Sequence, residues 1–309
     1  MSVTLIATVT ALVLGHLAPS LAASLRQYGW YRDWLSWLDT RFGEASFWRS
    51  RWGIVIALLP PLLVVGLFQS ALDRSLLGLA GLLFAIAVLF YTWGPRDLDV
   101  DVEAILDARD PLARRAAAAR LWPRTGTASL EGGALAEAVF RSALQRWFGV
   151  LFWFLLLGPV GALLYRLTQL ATDGIDGDQA APAPALPLET LRGAHTLRAI
   201  LEWPVAQLMT LALALVGNFD SVLGAWRGAG GASLRLETGF LGAVARASVN
   251  SELAQEAADY AHDGQEATAA AVLTAADLPE LRDAMSLVWR SLLVWLAALA
   301  LFVIAGFVN

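Results

Sequence analysis

The chain has 309 residues, of which 57% are hydrophobic and only 16% charged, with a formal net charge of −5 and a mean hydropathy of +0.57. A soluble domain sits nearer about 45–50% apolar and about 25% charged, so the composition describes a chain that lives in a bilayer. The acidic balance excludes the phosphate-neutralising basic face of a nucleic-acid binder.

Cysteine is absent and all 22 basic residues are arginine. Disulfides, thiolate metal sites, the P-loop lysine and Schiff-base lysines are therefore excluded. His16, His195 and His262 lie far apart, and no two of them share the three- or four-residue spacing of a helical ligand pair. Neither a metal nor a cofactor is expected.

In chain order, Met1–Leu17 is apolar but short and ends at His16 and Pro19. Its first Arg is Arg26, so the basic start of a signal peptide is missing and a retained, marginal first span is expected. Residues 20–52 interleave Tyr28, Trp30, Tyr31, Trp34, Trp37, Trp48 and Trp52 with arginine, which fits an amphipathic helix in the headgroup layer.

Crossing about 30 Å of hydrocarbon takes roughly 20 apolar residues. Four stretches meet that test: Gly53–Leu72, with Pro60-Pro61 expected to kink it; Ser75–Trp93, joined to the first by Asp73-Arg74 as a helical hairpin; Trp147–Tyr165, bracketed by Arg146 and Arg166; and Ser286–Val308. Asp277 to Glu280 resembles an N-cap with its capping-box Glu, so the last helix begins in water. Leu197–Phe219 is a second marginal span, because Glu202, Pro204, Gln207 and Asn218 interrupt it. It could cross against other helices, re-enter, or lie buried on one side. The expected fold is an all-α polytopic membrane helical bundle, four strong spans plus two marginal ones, with cytoplasmic and interfacial amphipathic helices.

Five arginines in Ser20–Trp52 and eight in Gly94–Arg146, against none between Leu167 and Leu191, place the first two segments in the cytoplasm. The whole chain reads as one membrane domain, with a cytoplasmic helical segment at 94–146, an acidic Ala/Pro-rich linker at 171–196 and a polar helical segment at 220–285. Asp97, Asp99, Asp101 and Glu103 alternate but lack an EF-hand's glycine and terminal Glu; they read as a solvated charged face. Asp110-Pro111 starts a helix. Gly228–Gly231 reads as a flexible linker, since no strand precedes it and no lysine follows.

Glu137 and Arg141 stand at i and i+4 on an amphipathic helix feeding the third span. They read either as a surface pair or, with Arg146, as part of an anion pocket at the membrane surface.

Several pieces occur together in one family. Gly94-Pro95-Arg96-Asp97-Leu98 follows the hairpin, and Phe152-Trp153-Phe154-Leu155-Leu156-Leu157-Gly158-Pro159 runs on to Gly161-Ala162-Leu163-Leu164-Tyr165-Arg166. Then come Leu201-Glu202-Trp203-Pro204-Val205-Ala206-Gln207-Leu208, Leu215-Val216-Gly217-Asn218-Phe219 and Ala225-Trp226. In content and order the chain resembles the AmpE family of bacterial inner-membrane proteins, over nearly its whole length and most strongly from Gly94 to Trp226.

The resemblance implies a multi-pass protein of the bacterial inner (cytoplasmic) membrane acting as a sensor or transducer in β-lactamase induction, tied to peptidoglycan recycling. Its partners would be the lipid bilayer and either an anionic cell-wall fragment or a signalling protein. The AmpE family is also similar to the CobD/CbiB membrane proteins of cobalamin synthesis, which form an amide on a corrinoid carboxylate. Their Asp-Ser-Met-x-Gly-Tyr stretch corresponds here to Thr172–Asp178, which has no Tyr.

A non-enzymatic regulator would recognise an anionic ligand through Arg96, Arg141, Arg146 and Arg166, with Glu137 beside them and Pro204 as the hinge of a moving helix. A membrane-embedded amide-forming enzyme would use Glu202 as base, helped by Asn218 and Asp220. For Glu202 the alternative role is a carboxylate satisfied at its own helix, by backbone N–H groups and Arg198 at i−4. A transporter is the third reading, from the two proline-interrupted segments.

Overall fold

A computed structural model of the chain describes residues 6–11, 26–43, 46–73, 78–94, 97–122, 128–173, 186–262 and 278–305, and regular structure among them is helical throughout. Residues 6–11 are helical; the rest of the first marginal span lies outside the described residues. The helices are α1 (Gly29–Arg41), α2 (Ile54–Asp73), α3 (Gly78–Thr92), α4 (Leu98–Asp107), α5 (Pro111–Ala118), α6 (Gly132–Ala143), α7 (Gly149–Leu157), α8 (Pro159–Asp173), α9 (Leu188–Val216), α10 (Phe219–Gly228), α11 (Gly239–His262) and α12 (Pro279–Ile304).

Among the described residues three helices are long and apolar enough to cross a membrane, over Ile54–Leu72, Leu188–Val216 and Pro279–Phe302, while α3 is a shorter apolar helix. The chain is a membrane protein on that basis. The hairpin of Gly53–Leu72 and Ser75–Trp93 is present as α2 and α3, and the prolines at 60 and 61 lie inside α2. Of the marginal span Leu197–Phe219, the part up to Val216 belongs to the longer α9 and Phe219 opens α10, while α12 begins at Pro279. Asp277, its expected cap, lies outside the described residues.

The expected third span is corrected. Trp147–Tyr165 is not one helix: it breaks at Gly158, whose φ of +67° favours glycine, and Pro159 opens the next helix. A side chain at Gly149 would overlap the Tyr165 ring, and one at Gly161 would overlap the Trp153 carbonyl oxygen. Those two contacts put α7 and α8 antiparallel as a tight hairpin. At about 1.5 Å per residue, α7 is roughly 13 Å long, well short of a crossing.

The chain forms two compact units. One comprises Met1–Arg96, Gln145–Leu201 and Leu299–Asn309, the other Asp97–Leu144 and Glu202–Ala298. In the first, α8 packs against α7, α2 and α3, and most of its residues are buried. Its core joins Tyr28, Tyr31, Leu35 and Leu38 to Trp48, Ile54, Leu163, Leu167 and Leu170. The aromatic segment is thus shared between two surroundings: the i, i+3, i+7, i+10 face of α1 enters the core, while Trp30, Trp37, Phe47 and Trp52 stay exposed, as an interfacial belt requires. The turn before α2 lies on the first turns of α9. There the Thr190 hydroxyl donates to the Trp48 carbonyl at 2.5 Å, and Gly193 lets the Arg51 carbonyl approach.

In the second unit α11 packs on α6 and α10, and α4 on α5 and α6. Asp110 caps α5 as expected, its carboxylate accepting the Ala113 N–H at 2.9 Å with Pro111 in the first turn. The acidic stretch is not wholly a solvated face. Asp101 is fully buried with Arg120 4.0 Å away, and Asp99 accepts the Trp289 indole N–H at 2.9 Å.

Candidate ligand-binding residues

Arg166 is fully buried on α8. Its Nε donates to the Thr92 carbonyl at 2.7 Å and its Nη1 to Gln169 Oε1. Around the same helix end, Arg26 donates to the carbonyls of Phe90 (3.0 Å) and Gly94 (2.7 Å), and the Tyr28 hydroxyl donates to that of Tyr91 (2.5 Å). The last carbonyls of a helix have no partner within it, and here Thr92, Trp93 and Gly94 are buried away from water. Three side chains supply the missing donors, and the two cations sit at the negative end of the α3 dipole. Arg166 thus holds a helix end in place, a role its position beside a predicted span did not reveal. Arg26 and Tyr28 had no local signal either, since their partners lie more than sixty residues on.

Arg146 lies in the π-helical turn Leu144–Phe148 that leads into α7. It is only 7% exposed. A π turn widens a helix by one residue, re-aims its side chains, and recurs at functional sites.

Glu137 is bridged by two arginines. Oε1 accepts from Arg141 at 2.6 Å, one turn on, and Oε2 accepts from Arg246 of α11. Gly242 leaves room for the Glu137 carboxyl and Gly133 for the Arg246 stem. The i,i+4 spacing announced Arg141; Arg246, 109 residues away, could come only from the packing of α6 on α11.

Glu202 is buried at 6% exposure on α9, two residues before Pro204, which lies inside an uninterrupted helix. Arg198, the neighbour one turn back, donates to Asp173 and to the Thr172 hydroxyl (2.9 Å). Asn218 caps α10, its Oδ1 accepting the Ser221 N–H at 3.0 Å, and Asp220 is exposed in that helix's first turn, where a negative charge is favoured. Arg96 lies outside the described residues.

The glycine run is corrected from flexible linker to ordered turn. The Gly231 N–H bonds the Trp226 carbonyl and the Gly230 N–H that of Arg227, with Gly230 at φ +76°. This is a Schellman ending for α10. Gln207 fastens it, accepting from the Trp226 indole and donating to the Gly231 carbonyl, each at 2.9 Å. Gly231 lies so close under the Trp226 ring that a side chain there would overlap it.

No protein-family model, curated protein or solved structure matches the chain.

Proposed function

We propose that the chain is an AmpE-like regulator, a multi-pass protein of the bacterial inner membrane that transduces the presence of anionic cell-wall fragments into β-lactamase induction. The sequence pattern from Gly94 to Trp226 supports the family reading, and the membrane-competent helices agree with it. The observation that carries the recognition step is Arg146, a nearly buried guanidinium held on a π turn at the head of an apolar hairpin. A carboxylate or phosphate that sheds its water to reach such a group gains a charge-assisted, forked contact in a low-dielectric surrounding. Regulation then requires that the bound and empty arrangements differ in affinity for the ligand.

Burial of Glu202 favours a second reading, an amide-forming enzyme of the CobD/CbiB type in which a desolvated carboxylate serves as general base. Complementation of a deletion strain with Arg146→Ala and Glu202→Gln separates the two. Loss of β-lactam-induced β-lactamase expression with Arg146→Ala supports the regulator, and unchanged induction in both variants overturns the site. A metabolite that accumulates unmodified in the deletion strain, and is again processed on return of the intact gene but not of Glu202→Gln, supports the enzyme.

A further inference from the structure

The apolar second half of α9 is long enough to be read as part of a membrane crossing, yet the chain after it turns back. Val216 ends α9, Gly217 and Asn218 turn, and α10 runs back until Trp226 and Gly231 hydrogen-bond to Gln207. Nine residues separate Gln207 from Val216, about 14 Å at 1.5 Å per residue. The hairpin's two ends therefore differ in position by only about half of the roughly 30 Å hydrocarbon layer.

Both ends are polar and exposed. The tip carries Asn218 and Asp220, and the open end carries Arg227, with Arg235 just beyond it. Were the tip in water on one side of the bilayer, the open end with its arginines would sit near the midplane, where a charge costs several kcal/mol. Between the ends, Leu208, Leu211 and Leu215 form a stripe along α9 at spacings of three and four, and they are 40–66% exposed; Phe219, which opens α10 at the tip, is 53% exposed. Leu234, beyond the Schellman turn, is 89% exposed.

We infer that the hairpin Gln207–Gly231 lies in the surface of the bilayer instead of across it, resting the Leu208–Leu211–Leu215 stripe in the acyl layer of one leaflet with both polar ends among the headgroups. The arrangement satisfies every exposed group: the leucines lose water, and the charges keep it. Its amphipathic pattern is the one expected of a helix lying in the interface plane, and the Gln207 bonds stop the two arms from opening. The inference rests on the chain being embedded in a membrane, but on no assignment of ligand or reaction.

The natural absence of cysteine makes the test clean. Single-cysteine variants Asp220→Cys and Ala229→Cys of the full chain are exposed to a membrane-impermeant maleimide in right-side-out and inverted vesicles. Labelling of both from one side supports the surface hairpin; labelling from opposite sides overturns it. Leu211→Cys carrying an environment-sensitive fluorophore, reconstituted into phosphatidylethanolamine–phosphatidylglycerol vesicles, should lose emission to acyl-chain-brominated lipids and not to aqueous iodide. Quenching by iodide, or by neither agent because protein covers the site, overturns the inference. Phe68→Cys on the exposed face of α2 reports separately. Failure of brominated lipid to quench it would sink the membrane reading itself, whereas quenching there without quenching at Leu211 sinks the hairpin alone.

Discussion

Arg166 and Thr92 are joined by a 2.7 Å hydrogen bond from the guanidinium Nε to the backbone carbonyl, across 74 residues of chain. Together with Arg26 and Tyr28, this bond closes the buried end of α3. The last carbonyls of α3 have no donor within their own helix, and the two guanidinium groups and the tyrosine hydroxyl provide them.

Arg166→Ala is expected to lower stability by about 2–4 kcal/mol, because it leaves a buried carbonyl without a donor and opens a cavity between α8 and α3. Arg166→Lys keeps the charge but loses the fork, and should recover only part of the loss. Unfolding of the detergent-solubilised protein followed by circular dichroism measures both, and wild-type stability for Arg166→Ala would remove the capping role.

The α7–α8 hairpin depends on two glycines. Gly161→Ala should destabilise by about 1–3 kcal/mol or more, because the Trp153 backbone carbonyl cannot move aside as a side chain would. Gly149→Ala meets the Tyr165 ring instead. Pairing it with Tyr165→Leu should restore part of the stability, and the non-additivity of a double-mutant cycle would report the contact.

Tyr31 is fully buried, and its hydroxyl has no hydrogen-bond partner among the described residues. Burial pushes its pKa well above the ordinary tyrosine value of 10.0. The folded state therefore holds the proton where the unfolded chain releases it. This contribution to stability is intact below about pH 10 and declines as the pH rises above it. Tyr31→Phe should be neutral or stabilising by about 1 kcal/mol near pH 7, since no bond is lost, and should lessen the alkaline decline. Denaturation curves at pH 7.5 and pH 11 would show both effects or neither.

Glu137→Gln weakens the bridge between Arg141 and Arg246 at both ends. With the arginines roughly 40–45% exposed, solvent screens the pairs, and the cost is expected to be only about 1 kcal/mol. Raising the salt concentration should narrow the difference from wild type. Arg246→Ala and Glu137→Gln should combine to less than the sum of their separate effects, because one interaction is lost in both.

Much of the architecture was legible in the linear pattern. Uncharged runs marked α2, α3 and the apolar part of α12, since a helix whose flanks carry no charge must find lipid or core on all sides. Asp110-Pro111 marked the start of α5, because a cap and a fixed φ act within four residues. The i,i+4 pair of Glu137 and Arg141 was visible for the same reason. Trp147–Tyr165 was misread as one span because hydropathy has no sign for direction: Gly158-Pro159 reverses the chain without changing how apolar it is.

Contacts between distant segments carried no such trace. That Arg166 caps α3, that Arg246 joins Glu137, and that Gln207 ties down the glycine turn each depends on two stretches meeting after the helices pack. Local chemistry, the apolar runs, caps and one-turn charge pairs, acts over a few bonds and is written in residue order. Which buried donor meets which orphaned carbonyl is chosen only when water has left both, and that choice belongs to the packed helices.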